Sequence, residues 1–167
     1  MNPLVEDARD FAERMHKGQI RKYTGVAYIV HPVAVAASVA AVGMDDETVA
    51  AALLHDVIED TGCTAARIAR FFGIRVARMV MQVTNPSTWA TGNRAARKQM
   101  DRIHLRSACP EAKTIKLADV IDNVESIKEH DPKFARVYLR EKRLLLPLLQ
   151  EGNASLYETA MKMLRRG

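Results

Sequence analysis

The stretch Leu53-Leu54-His55-Asp56-Val57-Ile58-Glu59-Asp60-Thr61 gathers one imidazole and three carboxylates without a single Lys or Arg among them. On an α-helix at about 100° per residue, with His55 at zero, Glu59 falls near ~40°, Asp56 near ~100° and Asp60 near ~140°. Leu53, Leu54, Val57 and Ile58 take the opposite side. Three negative charges over so short a length repel one another unless a cation lies among them. A second polar cluster, Lys116, Asp119 and Asn123, shares one helix face beside the apolar residues Leu117, Val120, Ile121 and Val124. An unpaired carboxylate at the edge of a packed face is costly, so Asp119 needs a partner, either Lys116 or a metal. His31, between Val30 and Pro32, is a third candidate; alone it reads equally as a hydrogen-bonded core histidine.

His31, His55, Asp56 and Asp119 together supply two imidazoles and two carboxylates. That mixed nitrogen and oxygen set suits Mn²⁺, Fe²⁺, Co²⁺ or Zn²⁺ better than Ca²⁺. Such an ion lowers the pKa of bound water and stabilises charge on a phosphorus centre. Glu59 and Asp60, one turn beyond the His-Asp pair, are placed to position or deprotonate that water.

The elements that must carry these groups read as helix after helix. Apolar spacing predicts helices over residues 4–17, 31–42, 45–60, 64–73 and 76–83. Further helices are predicted over residues 92–107, 110–128, 131–150 and from Asn153 or Ser155 to the C-terminus. Asp45, Thr64 and Asp131 are the expected N-caps, and Pro147 should kink or shorten its helix. The expectation is an all-α, compact bundle of about eight to nine helices in one domain spanning residues 1–167.

Composition narrows the class. Of 167 residues, 48% are hydrophobic and only 5% aromatic, which suits a core of Ala, Leu, Val, Ile and Met. No apolar run approaches the ~20 residues of a membrane span, and the N-terminus lacks the features of a secretory signal. Cys63 and Cys109 are too few for a disulfide framework and read as free thiols in a reducing cytoplasm. The net charge of +5 leaves an anionic partner open, either a nucleic acid or a phosphorylated small molecule. Arg94, Lys98, Arg102 and Arg106 form a basic stripe, read as a solvated face or a phosphate-steering rim. Aromatic platforms for single strands and a helix-turn-helix pairing are both missing, so nucleic-acid binding is not expected. His16, His104 and His130 have polar neighbours and are expected at the surface.

The sequence resembles the hydrolase domain of the RelA/SpoT-like alarmone enzymes, within the HD phosphohydrolase superfamily. The likeness covers residues 8–149. It rests on His16-Lys17-Gly18-Gln19-Ile20-Arg21-Lys22, Tyr28-Ile29-Val30-His31-Pro32-Val33-Ala34-Val35-Ala36, Ala52 through Thr61, and Lys113 through Asn123. It implies that His31, His55, Asp56 and Asp119 hold one Mn²⁺ and that Glu59 and Asp60 activate the attacking water. It also implies that Arg21 and Lys22 line the nucleotide pocket, with Asn123 near the sugar-phosphate. The implied reaction removes the 3′-pyrophosphate of guanosine tetra- or pentaphosphate, with no room for synthetase or regulatory domains. Ala27 stands where the family commonly has proline, and the linker of residues 85–92, with Trp89, matches no family motif. Since that loop lines the base pocket, adenosine alarmones and the 2′-phosphate of NADPH are the alternative substrates.

Overall fold

Helix capping and small buried side chains account for most of the architecture. In the computed structural model, which describes residues 2–165, ten α-helices follow one another with two short 3-10 turns. They are α1 (Pro3–Met15), α2 (Val30–Ala41), α3 (Asp46–Leu53), α4 (Val57–Thr61) and α5 (Ala65–Phe72). The second half adds α6 (Ile74–Val83), α7 (Arg94–Arg106), α8 (Pro110–His130), α9 (Pro132–Leu145) and α10 (Ala154–Arg165). The only extended pairing among the described residues is an isolated bridge between Ile20 and Ala27. The expected end of the last helix at Gly167 lies outside the described residues.

The caps follow the sequence. Asp45 accepts from the Thr48 amide at 2.9 Å, Thr64 from Arg67 at 3.2 Å and Asp131 from Phe134 at 3.0 Å. Asn153 caps α10 by accepting from the Ser155 and Leu156 amides. At Pro147 the ninth helix gives way to the 3-10 turn Leu146–Leu149, as a ring without an amide proton requires.

Two elements make the centre. In α3, Ala50, Ala51 and Ala52 are fully buried, and these small side chains let α1, α2 and α6 come close. The long α8 runs against α2, α3, α6, α9 and α10, burying Ile115, Leu117, Ala118 and Val120. Gly152 allows the turn before α10 to press onto α8; a Cβ there would meet Leu117 Cδ1 at 2.9 Å. Between α1 and α2 the chain doubles back. Arg21 donates its amide to Val26 and Tyr28 to Gln19; the Arg21 side chain reaches α8, and the Tyr28 hydroxyl reaches Asp56. Ala27 donates nothing to this ladder.

One expectation fails in an informative way. The helix expected over residues 45–60 breaks at residues 54–56 into α3 and α4, which raises the count to ten. His55 Nδ1 donates to Ala52 O at 2.7 Å. That carbonyl is the one the Asp56 amide would use in a continuing helix. The His-Asp pair therefore lies on a turn, and the helical-wheel angles assigned above do not describe its geometry.

Candidate metal and nucleotide site

The break at residues 54–56 points His55 and Asp56 at the start of α2 and the middle of α8. His31 enters from the first turn of α2, and Asp119 from α8. Four donor atoms converge. His55 Nε2 lies 3.1 Å from Asp56 Oδ2 and 3.9 Å from Asp119 Oδ1. His31 Nε2 lies 3.3 Å from Asp119 Oδ1 and 3.6 Å from Asp56 Oδ2. Metal bonds of about 2.1 Å place neighbouring donors about 3.0–3.4 Å apart, and two of these four separations fall in that range; His31, His55 and Asp56 form a group that could hold a metal ion, with donor atoms all within 4.8 Å of one another, and Asp119 adjoins it.

The tautomers support the same reading. His55 spends Nδ1–H on Ala52 O, and His31 Nδ1 donates to Asp122 Oδ2 at 2.6 Å. Each ring therefore turns its Nε2 lone pair toward the shared point, as metal-binding imidazoles do when the other nitrogen is held. His55 Nε2 is buried without a hydrogen-bond partner, which is costly unless a cation meets it.

Electrostatics agree. Burial lowers the pKa of His31, but hydrogen bonds to Asp119 and Asp122 outweigh it and hold the imidazole up at about 9. Burial likewise opposes charging of His55, yet Asp56 and Asp119 raise its pKa. The Asp119 carboxyl is held low against burial by the Lys116 ammonium, 2.8 Å from Oδ2. Of the two expected partners of Asp119, Lys116 meets its Oδ2, while Oδ1 faces the imidazoles. The cluster's negative charges call for a positive one, and protons and a metal compete for it.

Asp60 and Glu59 project from the short α4 beside this cluster. Burial, then the charges of Asp56 and Glu59, push the Asp60 carboxyl above its ordinary pKa. Glu59 is gripped from the 85–92 linker by Asn85, whose amide donates at 3.1 Å and whose Nδ2 donates to both carboxylate oxygens. A cleft of about 290 Å³ opens alongside, lined by Arg21, Lys22, Tyr28, Asn123 and Phe134 among others. Arg21 reaches Asp122 at 3.0 Å and Asn123 at 3.3 Å, and Asn123 in turn donates to Asp119 at 2.5 Å. Lys22 lies over the rings of Tyr23 and Phe134. All three expected substrate-binding residues therefore face one cleft.

Four contributors escaped the reading of functional residues. Asp122 orients His31; its position three residues after Asp119, on the same helix face, was the available signal. Tyr28 donates its hydroxyl to Asp56 Oδ2 at 2.6 Å, and burial and that carboxylate keep the phenol protonated. Asn85 holds Glu59 from a linker that carried no recognisable pattern. His16, expected at the surface, is buried because Tyr28 folds over it, with ring centroids 4.8 Å apart. His104 is half-buried and bonds Met81 O, while His130 is exposed as expected. Cys63 and Cys109 are free thiols.

Comparison with known proteins agrees with this geometry. The HD domain family matches residues 8–145. A guanosine-3′,5′-bis(diphosphate) 3′-pyrophosphohydrolase of Aquifex aeolicus is 40% identical over 123 residues, covering 74% of this chain and 18% of that protein. The chain thus spans about a fifth of the length of such long relatives. The Homo sapiens enzyme of the same name, MESH1, is 37% identical over 130 residues, covering 76% of this chain and 71% of that one. A solved structure of a metazoan SpoT ortholog, described as hydrolysing ppGpp, superposes with a TM-score of 0.88 at 26% identity. The match covers 99% of this chain and 96% of that one. A Listeria monocytogenes structure matches with a TM-score of 0.69 at 27% identity, covering 86% of this chain and 98% of that one. With its donor cluster on the His-Asp turn and likeness over nearly the whole fold, this chain belongs to the HD domain family, among the relatives of the RelA/SpoT-like alarmone hydrolases.

Proposed function

We propose that the chain hydrolyses the 3′-pyrophosphate of guanosine tetra- or pentaphosphate, releasing GDP or GTP and pyrophosphate. The observation that carries this reading is the meeting of three features. Two lone-pair-exposing imidazoles and two carboxylates adjoin an acidic pair and a cleft bearing Arg21, Lys22 and Asn123.

His31, His55, Asp56 and Asp119 would hold one divalent ion, and their mixed donors suit Mn²⁺. When bound, that ion supplies positive charge at the phosphorus centre and makes water more acidic. The protein's own groups do the rest. Asp60, with its raised pKa, is suited to take a proton from the attacking water. Glu59, fixed by Asn85, orients that water. The water oxygen bonds to the α-phosphorus of the 3′-pyrophosphate as the bond from that phosphorus to the ribose oxygen breaks. The proton taken by the acidic pair returns to that oxygen. Arg21 and Lys22 bring positive charge to the nucleotide, and Tyr28, by donating to Asp56, holds that carboxylate toward the cluster.

Product analysis tests the assignment. Guanosine alarmones, adenosine alarmones and NADPH are each incubated with purified protein and Mn²⁺, Zn²⁺ or Mg²⁺. Pyrophosphate and GDP or GTP are the expected products, with Mn²⁺ the most effective ion. Asp119→Ala or His55→Ala should remove turnover, and Glu59→Gln should slow it by about 10²-fold or more with metal still bound. Release of phosphate from NADPH alone, or full turnover in Asp119→Ala freed of residual metal, would overturn it.

A further inference from the structure

Of the acidic pair on α4, Glu59 is held through its side chain by Asn85, whereas Asp60 is held through its backbone. The helix Val57–Thr61 is so short that most of its carbonyls lack an intrahelical partner. Gln19 Nε2 donates to one of them, Asp60 O, at 3.1 Å. A carbonyl only accepts, so the amide nitrogen of Gln19 must face it and Oε1 must face away. That oxygen lies 2.8 Å from His16 Nδ1, which therefore carries the proton and donates to it. His16 Nε2 is buried with no hydrogen-bond partner among the described residues, so the ring's polar contact is the one to Gln19.

The backbone of the turn after α1 brings these groups together. The Gln19 amide donates to His16 O at 2.9 Å, and the Tyr28 amide donates to Gln19 O at 3.0 Å. Tyr28 thereby lays its ring against the His16 imidazole, while its hydroxyl reaches Asp56 Oδ2. His16 has two arms as a result. A hydrogen-bonded arm runs through Gln19 to Asp60, and a packed arm runs through Tyr28 to Asp56. At 3% exposure, with one face packed and one nitrogen bonded, the ring has a fixed orientation to pass on.

We propose that His16 is a positioning residue: by fixing the Gln19 amide it holds the end of α4, and with it the Asp60 carboxyl that takes the proton from water. This role rests on the hydrolase reading and adds to it the residue that sets the geometry of the base. Without the imidazole proton, nothing decides which end of the Gln19 amide faces Asp60 O. The carbonyl then loses its donor, and the carboxyl on the same residue shifts with it. A shift on the order of 1 Å in a reacting group costs up to about 10²-fold in rate. The packed arm survives any ring that fills the same space.

Two substitutions separate the arms. His16→Phe keeps a ring against Tyr28 and removes the donor; His16→Asn removes the ring but offers Nδ2 where Nδ1 stood. Guanosine alarmone turnover at saturating Mn²⁺, calorimetric Mn²⁺ affinity and hydrogen exchange of the α4 amides are measured for both. The same is done for Gln19→Leu and for the double variant His16→Phe/Gln19→Leu. In His16→Phe and in Gln19→Leu, kcat should fall about tenfold or more, with KM and Mn²⁺ affinity unchanged and α4 exchanging faster. His16→Asn should recover most of the lost kcat. The double variant should be no slower than either single one, because both break the same chain. If the His16 variants do not fold, the half-buried Gln19 decides. Gln19→Glu still accepts from His16 but has nothing to donate to Asp60 O, so it should match Gln19→Leu. Wild-type kcat in folded His16→Phe or in Gln19→Glu, additive losses in the double variant, or no recovery in folded His16→Asn would overturn the positioning role. Faster α4 exchange in His16→Phe and Gln19→Leu of a protein that turns over no alarmone would uphold that role in the fold and overturn the alarmone reading alone.

Discussion

At the scale of single residues, the site depends on which ring nitrogen each histidine keeps for the cluster. Asp122 settles this for His31 by accepting from Nδ1 at 2.6 Å, and it also pairs with Arg21 on the cleft side. Asp122→Ala removes both. Groups that orient a ligating histidine typically contribute 10–100-fold to metal affinity. We expect Mn²⁺ affinity to fall by about that factor, with KM for the nucleotide rising as Arg21 loses its anchor. Calorimetric titration of Mn²⁺ checks the first point, and unchanged affinity would show that α2 packing alone orients the ring. Asp122 was legible as a carboxylate on the right helix face. Its choice of His31 was not, because residues 31 and 122 meet only when α2 packs on α8.

At the scale of elements, α3 is the platform from which the His-Asp turn projects, and Asp45 holds its start. The Asp45 carboxylate accepts from the Thr48 amide and hydroxyl and meets Arg75 at 2.8 Å. The hydrogen bond from Arg75, opposed next by burial and aided by the smaller contributions of the Thr48 hydrogen bonds, holds its pKa down at about 2. A carboxyl with a depressed native pKa adds stability that is complete above its unfolded value and is lost as pH falls toward the native one. Its side chain is more than half exposed, so the ion pair is screened and the cap dominates. Asp45→Ala should cost about 1 kcal/mol at neutral pH, the usual value of an N-cap. Urea unfolding at pH 7 and pH 2.5 should show the gap from wild type shrinking in acid; a constant gap would count against the assignment. The cap was readable from Asp45 and its neighbours. The break at residues 54–56 was not, because every residue there fits a helical pattern. A side-chain bond from His55 to Ala52 O competes with the backbone, and periodicity does not register that competition.

At the scale of the molecule, the cluster ties together three elements far apart in sequence: the start of α2, the turn after α3 and the middle of α8. A ligand held by the native state alone stabilises it by mass action, about 2.7 kcal/mol at a hundred times its Kd. Thermal melts should therefore shift upward with Mn²⁺ and downward with chelator, while Asp119→Ala should show neither shift. Equal shifts in that variant would place the ion elsewhere. The sequence by itself determined the helical class, the caps and the set of side chains able to bind a cation, because each is encoded in local spacing and residue type. Tertiary structure alone decided that His31, His55 and Asp56 gather their donor atoms with Asp119 beside them, and that Asn85 grips Glu59. It also decided that His16 is buried. Those outcomes depend on distances between segments, and the packing of α3 and α8 sets such distances where no local pattern records them.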